Sequence, residues 1–107
     1  MFENNLLTAS IDISSSGDNT IIAAPSEGYI AIDHINFLPT SDVGIQLKSG
    51  SDDYGADYPL DAKQAFTLDN AMKSQKGVIT CGSKEAFIME LSDAVQVSGF
   101  VRYRVVV

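Results

Sequence analysis

Chemistry in this chain would have to pass through very few groups. There is one imidazole, His34, and one thiol, Cys81. A nucleophilic triad needs an imidazole held between a hydroxyl or thiol and a carboxylate. His34 instead sits in the middle of the most apolar segment, YIAIDHINFL, where a histidine usually serves as a core or interface side chain with a hydrogen-bond partner. His34, Cys81 and Met89 are ligand types of a blue-copper site, but that site takes two histidines. A structural zinc site would lack its further cysteine and histidine ligands, and no metal or other cofactor is expected.

Carboxylates are the other resource. Asp52, Asp53, Asp57 and Asp61 fall within one stretch, SGSDDYGADYPLD. Paired carboxylates can hydrolyse glycosides when rigid strands hold them at a fixed separation, whereas the Gly, Asp and Tyr content here reads as a surface loop. A solvated loop is the first reading. Calcium on Asp52, Asp53 and Asp57 is the second, because hard oxygen ligands at short spacing suit that ion, although the spacing is not that of an EF-hand. Residues 12–19 are a lesser candidate of the same kind. Gly82, Ser83 and Lys84 lack the preceding glycine and the following helix of a phosphate-binding loop. No catalytic residue is assigned, and an enzyme is not expected.

The elements that would position any of these groups are strands. No segment of helical length carries a 3.6-residue apolar repeat. Leu7 to Ile13 alternates, with Leu7, Ala9, Ile11 and Ile13 on one face. SSSGDN is turn-like, Thr20 to Ala24 is short and ends at Pro25, and Tyr29 to Leu38, apolar on both faces for much of its length, predicts a central strand stopped by Pro39. Val43 to Lys48, Ala65 to Leu68, Gly77 to Cys81, Ala86 to Leu91 and Ala94 to Val107 complete a set of about eight strands. DNAMKSQKG is either one helical turn or a polar loop. Connections too short for helical crossovers require antiparallel pairing. The expected fold is all-β: a single antiparallel β-sandwich, jelly-roll-like or immunoglobulin-like, with residues 1–6 as an arm and 7–107 as the sandwich.

The closing strand alternates from Val95 to Val107 and ends in VVV. Fourteen residues from Ala94 would extend roughly 46 Å, against about 34 Å for a compact globule of this length. The strand is therefore expected to bend, at Gly99, or to pair beyond the globule. An exposed apolar edge is an aggregation hazard, so residues 101–107 are expected to be covered by another subunit or by an N-terminal strand. Arg102 and Arg104, the only arginines, share one strand face. They are candidates for contacts with another copy, as are Val105 and Val107, while cross-strand pairing with Asp or Glu is the plainer alternative. Tyr54 and Tyr58 offer rigid contact area for protein or sugar, unless they fold back over the end of the sandwich.

Fourteen acidic and seven basic side chains give a net charge of -7, which disfavours nucleic acid and anionic membranes as partners. A single cysteine excludes an internal disulfide, so the fold does not need an oxidising compartment. The sequence lacks a signal-peptide pattern and any apolar run of membrane-spanning length.

The phrases PSEGYIAIDHINF, then VGIQLKSG with a polar link to YPLDA, and LSDAVQVSGFVRYRVV resemble the small all-β virion proteins of tailed bacteriophages, in particular capsid decoration or cement proteins. The likeness covers residues 7–107 and rests on packing and turn positions, so no family site residue is carried over. It implies a β-sandwich made in the host cytoplasm and bound to the capsid surface, clamping the major capsid protein, commonly as a homotrimer. A tail or fibre component and a carbohydrate-binding adhesin module are the alternatives. The absence of Trp, the best ring for stacking on sugars, counts against the last.

Overall fold

A computed structural model describes residues 6–70 and 76–107. The arm, but for Leu6, and the middle of DNAMKSQKG lie outside these residues. Ten strands are present among the described residues: β1 (Leu7–Ile13), β2 (Gly17–Ile22), β3 (Tyr29–Pro39), β4 (Val43–Ser49), β5 (Asp52–Asp53), β6 (Tyr58–Leu60), β7 (Phe66–Asp69), β8 (Ile79–Thr80), β9 (Phe87–Leu91) and β10 (Val97–Val106). All eight predicted strands appear, but β2 starts at Gly17 and ends at Ile22, so the second half of SSSGDN, read as a turn, is strand, because Gly17 to Asn19 pair with Leu91 to Met89 of β9. The two additional ones, β5 and β6, lie in the acidic stretch read as a loop. They form because β4 offers a free edge there: β5 folds back on Lys48 and Ser49, and β6 pairs with Val43 to Ile45.

Two antiparallel sheets pack face to face. Sheet A runs β1-β10-β3-β7, with β8 also on β3; sheet B runs β2-β9-β4-β5, with β6 also on β4. Successive long strands alternate between sheets, β1 in A, β2 in B, β3 in A, β4 in B. This order is that of a jelly roll, since an immunoglobulin-like sandwich would place consecutive strands beside each other in one sheet.

The inward positions of both sheets form one core. Ile11, Ile30, Ile32, Ile35, Phe37, Val97 and Val101 from sheet A meet Ile45, Leu47, Phe87, Met89 and Leu91 from sheet B. Apolar area of this kind supplies about 25 cal/mol per Å² buried, and the period-2 alternation of each strand directs it to one face. On one side Phe37 stacks on Phe66 (4.7 Å) and Phe66 meets Tyr58 edge-on (4.7 Å), joining β3 and β7 to β6 of the other sheet. At one end Ser49 ties the sheets to the 82–85 turn, accepting from the Gly82 N–H (2.8 Å) and donating to Glu85 Oε1 (2.6 Å).

Two expectations about the last strand are corrected. Pairing of β10 with β3 runs without interruption through Gly99, and the irregularity lies between Arg102 and Tyr103. Gly99 serves close approach instead: a Cβ there would collide with the Asn36 carbonyl oxygen and the Phe37 Cα. Nor must the strand project. Its ten residues need roughly 33 Å, and the molecule, with extents of 45 × 26 × 21 Å, is elongated enough to hold them. Residues 97–103 are covered by the N-terminal strand, with Leu7 opposite Tyr103 and Ile13 opposite Val97.

Candidate functional site

The outer face of sheet A carries a linked group of polar side chains, and a break in the strand period creates it. Along β3, Ile30 and Ile32 point into the core, and so do Ile35 and Phe37. An uninterrupted strand cannot place both pairs on one face, because alternation would turn either 32 or 35 outward. The register absorbs the mismatch. Arg102 pairs with His34 and Tyr103 with Ile32, leaving Asp33 as an extra residue, a β-bulge of the kind that re-aims side chains. Asp33 and His34 are both only partly buried.

Cross-strand rows follow from the register. Thr8, Arg102, His34 and Asp69 form one row; Ser10, Phe100, Asn36 and Thr67 form the next. His34 Nδ1 lies 2.9 Å from Asp69 Oδ1 and Nε2 lies 3.0 Å from Asn36 Nδ2. In the tautomer that satisfies both contacts, Nδ1–H donates to Asp69 and Nε2 accepts from Asn36. Both ring nitrogens are engaged, so this Asp–His pair has no nitrogen left to activate a hydroxyl or ligate a metal. The ring stacks on Phe100 at 5.4 Å, and the Arg102 guanidinium lies 5.7 Å from the Phe100 ring centroid, a contact worth about 0.5–1 kcal/mol at an exposed site.

Beside this row, where β7 gives way to β8 along the edge of β3, is a depression of about 360 Å³ lined by Asp33, Asp69, Asn70 and Arg104. Asn70 Nδ2 donates to Asp33 Oδ1 (2.9 Å), and the Asn70 N–H donates to the Asp33 carbonyl (2.9 Å). Arg104 Nη2 stands 3.8 Å from the same Asp33 oxygen, a long ion pair. Its Nε is buried and, among the described residues, has no hydrogen-bond partner. A second depression, at the end of the sandwich, has Asp42, Asp61 and Asp93 around Gly44 and Ser92. There Asp42 accepts from the Ala62 N–H (2.8 Å), and Ser92 Oγ accepts from the Gly44 N–H (2.8 Å) while lying 3.2 Å from Asp93 Oδ2.

The residues singled out in the sequence separate. Arg102 and Arg104 do share the outer face, but only Arg102 is exposed; Arg104 turns to Asp33. Tyr54 is exposed whereas Tyr58 is packed on Phe66, so the two do not form a platform. Asp52 and Asp53 lie on β5, and the Asp57 carboxylate packs against Gly44 of β4. Among the described residues no group of three or more His, Cys, Asp or Glu is placed to hold a metal ion. Cys81 and Met89 are core residues, and His34 is on the outer face. Val105 is half-buried and Val107 is 84% exposed. Asp33, Asn36, Asp69, Asn70 and Phe100 escaped the sequence reading. The signal for the first was present: two polar residues, Asp33 and His34, stand between pairs of core residues spaced three apart rather than two or four.

Comparison with protein-family models, with curated proteins and with solved structures finds no match.

Proposed function

We propose that this protein is a non-enzymatic structural component of a tailed-bacteriophage virion, a decoration protein that seats on the outer capsid surface and clamps the major capsid protein, acting as a homo-oligomer with a trimer as the favoured state. The observation that carries this reading is an uncovered apolar rim beside an open sheet edge. β1 is the terminal strand of sheet A and has no strand on its far side among the described residues. At the start of β1, Leu6 and Leu7 are 45% and 43% exposed. Past the end of the paired neighbour, Val107 is the most exposed large apolar residue described. Open edges and apolar rims are liabilities in a free monomer. In a particle each is buried by contacts that symmetry repeats, so a modest interface per copy suffices.

The test is direct binding to undecorated, expanded phage heads. Saturable cosedimentation is expected, together with a higher temperature of capsid disruption, and Leu7→Lys with Val107→Asp should weaken both while leaving the circular dichroism of the free protein unchanged. Failure to bind any such head, with the protein remaining monomeric by sedimentation at high concentration, overturns the reading.

A further inference from the structure

We propose that the free edge of β1 pairs antiparallel with the same edge of a second copy of this chain, across a two-fold axis at Ser10, so that sheet A runs on through both molecules. The inference deepens the homo-oligomer reading above and rests on it only in taking β1 as a contact element. Pairing needs no capsid, and it joins copies in twos whatever other contact joins them in threes. An open strand edge is normally blunted by shortness, proline, lysine or a bulge. The other outlying strands are blunted in these ways: β5, β6 and β8 are two or three residues long, with Pro59 inside β6, β7 has four residues, and the register of β2 slips between Thr20 and Ile22. β1 carries none of these devices. Its seven residues, LTASIDI, contain neither proline nor lysine, its register with β10 is unbroken, and it lies at the opposite edge of sheet A from β7 and β8.

The backbone groups on that edge can be assigned. Along an antiparallel strand each residue turns its N–H and C=O together toward one neighbour, and successive residues alternate. Ile11 is 1% exposed, so its groups point at β10, and by alternation so do those of Leu7, Ala9 and Ile13. The edge groups therefore belong to Thr8, Ser10 and Asp12, all three exposed. The order of side chains suits a second copy. Pairing centred on Ser10 uses the whole strand: Ser10 meets Ser10, Thr8 meets Asp12, Ala9 meets Ile11 and Leu7 meets Ile13. Core-facing residues then meet core-facing residues, about six backbone hydrogen bonds cross the axis, and the single charge, Asp12, faces a hydroxyl rather than another carboxylate. A slip of one residue sets apolar against polar side chains, and a slip of two leaves one end of each strand without a partner. Leu7, 43% exposed with no strand beyond it among the described residues, is covered by the partner's copy of the same segment.

Assembly and register are tested separately on the full-length protein. Sedimentation equilibrium from roughly 1 to 500 μM is expected to show monomer and dimer in exchange. Ser10→Pro removes one edge N–H and leaves the ladder to β10 whole, so it should weaken the dimer at least about tenfold. In Ser10→Cys the two thiols meet on the axis within the Cα separation that a disulfide spans, and oxidised glutathione should link the protein into dimers. Thr8→Cys and Asp12→Cys should each stay unlinked alone and link when mixed. Cys81, buried in the core, does not compete. A protein that stays monomeric across this range and does not link at Ser10, as follows if its own N-terminal residues fill the edge, overturns the proposal. So does a trimer indifferent to Ser10→Pro, or linking by Thr8→Cys or Asp12→Cys alone. Head binding is read in its own assay: heads bound by a protein that never links at Ser10 overturn the pairing alone, whereas a Ser10-linked dimer that ignores heads supports the pairing and fails the capsid reading.

Discussion

Cys81 is 3% exposed, and its N–H donates to the Ile30 carbonyl (2.9 Å) at the point where the chain leaves β8. Burial pushes the thiol from its ordinary 9.0 up to about 11, against a smaller lowering by Ser49 and a further raising by the Glu85 charge. The thiolate is the reactive form, so Cys81 should resist alkylating and disulfide reagents in the folded protein at neutral pH and react at once in denaturant. The same shift ties stability to pH. The folded thiol holds its proton where the unfolded one has lost it, so its contribution is intact below about 9 and is lost as pH rises toward about 11, by at most about 3 kcal/mol. A melting-temperature series from pH 8 to pH 11 for wild type and Cys81→Ala checks this: part of the alkaline loss should disappear in the variant, and parallel curves would refute the assignment. That Cys81 cannot pair internally was legible from its being alone. Its depth in the core was not, because TCGSK reads as turn and strand end equally well. His34 was legible as a histidine with hydrogen-bond partners, but its placement on the outer face depends on the Asp33 bulge, a backbone event that composition conceals.

At the scale of elements, β10 is built around a close approach. Gly99 lies between Ile11 of β1 and Phe37 of β3 in the register, and any side chain there would meet the Asn36 carbonyl and force the β10 and β3 backbones apart. Gly99→Ala should destabilise the protein by about 2–3 kcal/mol, in the upper range for overpacking, seen as a lower urea midpoint with an unchanged slope; an unaffected midpoint would mean that the strands separate at little cost. Strand existence was legible wherever period-2 alternation ran for five or more residues, as in β1, β4, β9 and β10. β5 and β6 were not, because two or three residues carry no period and these pairs exist only through the neighbouring edge of β4. Gln46 shows the dependence: its side-chain amide donates to Leu47 O (3.0 Å), Gly55 O (3.3 Å) and Tyr54 O (3.5 Å), stitching the acidic stretch to β4 through contacts that Asp, Gly and Tyr content does not reveal. β8 pairs with β3 in sheet A and β9 with β4 in sheet B. The short GSK turn that joins them is therefore a crossing between sheets, which its length alone could not distinguish from a hairpin.

Over the whole molecule, the all-β class and antiparallel pairing were legible, but the strand count fell two short of the ten described and the choice between jelly-roll and immunoglobulin-like order was not legible, since both deliver short strands at similar spacing. Overall shape was also misjudged from length alone: a spherical estimate made the last strand too long for its own protein, whereas the long axis of 45 Å accommodates it. The order of strands has a consequence for how the molecule comes into being. Among the described residues β1 has β10 as its only sheet neighbour, so the earliest described strand must wait for the latest, and sheet A stays incomplete while the segment between them is synthesised. During that interval the LTASIDI segment has no native strand to pair with and is a target for chaperones or for wrong partners. A chain ending before Val97 should therefore show no cooperative melting, and the intact chain should refold on the millisecond-to-second scale of distant β pairing; a truncated chain that melts cooperatively would show that sheet B can assemble ahead of its partner.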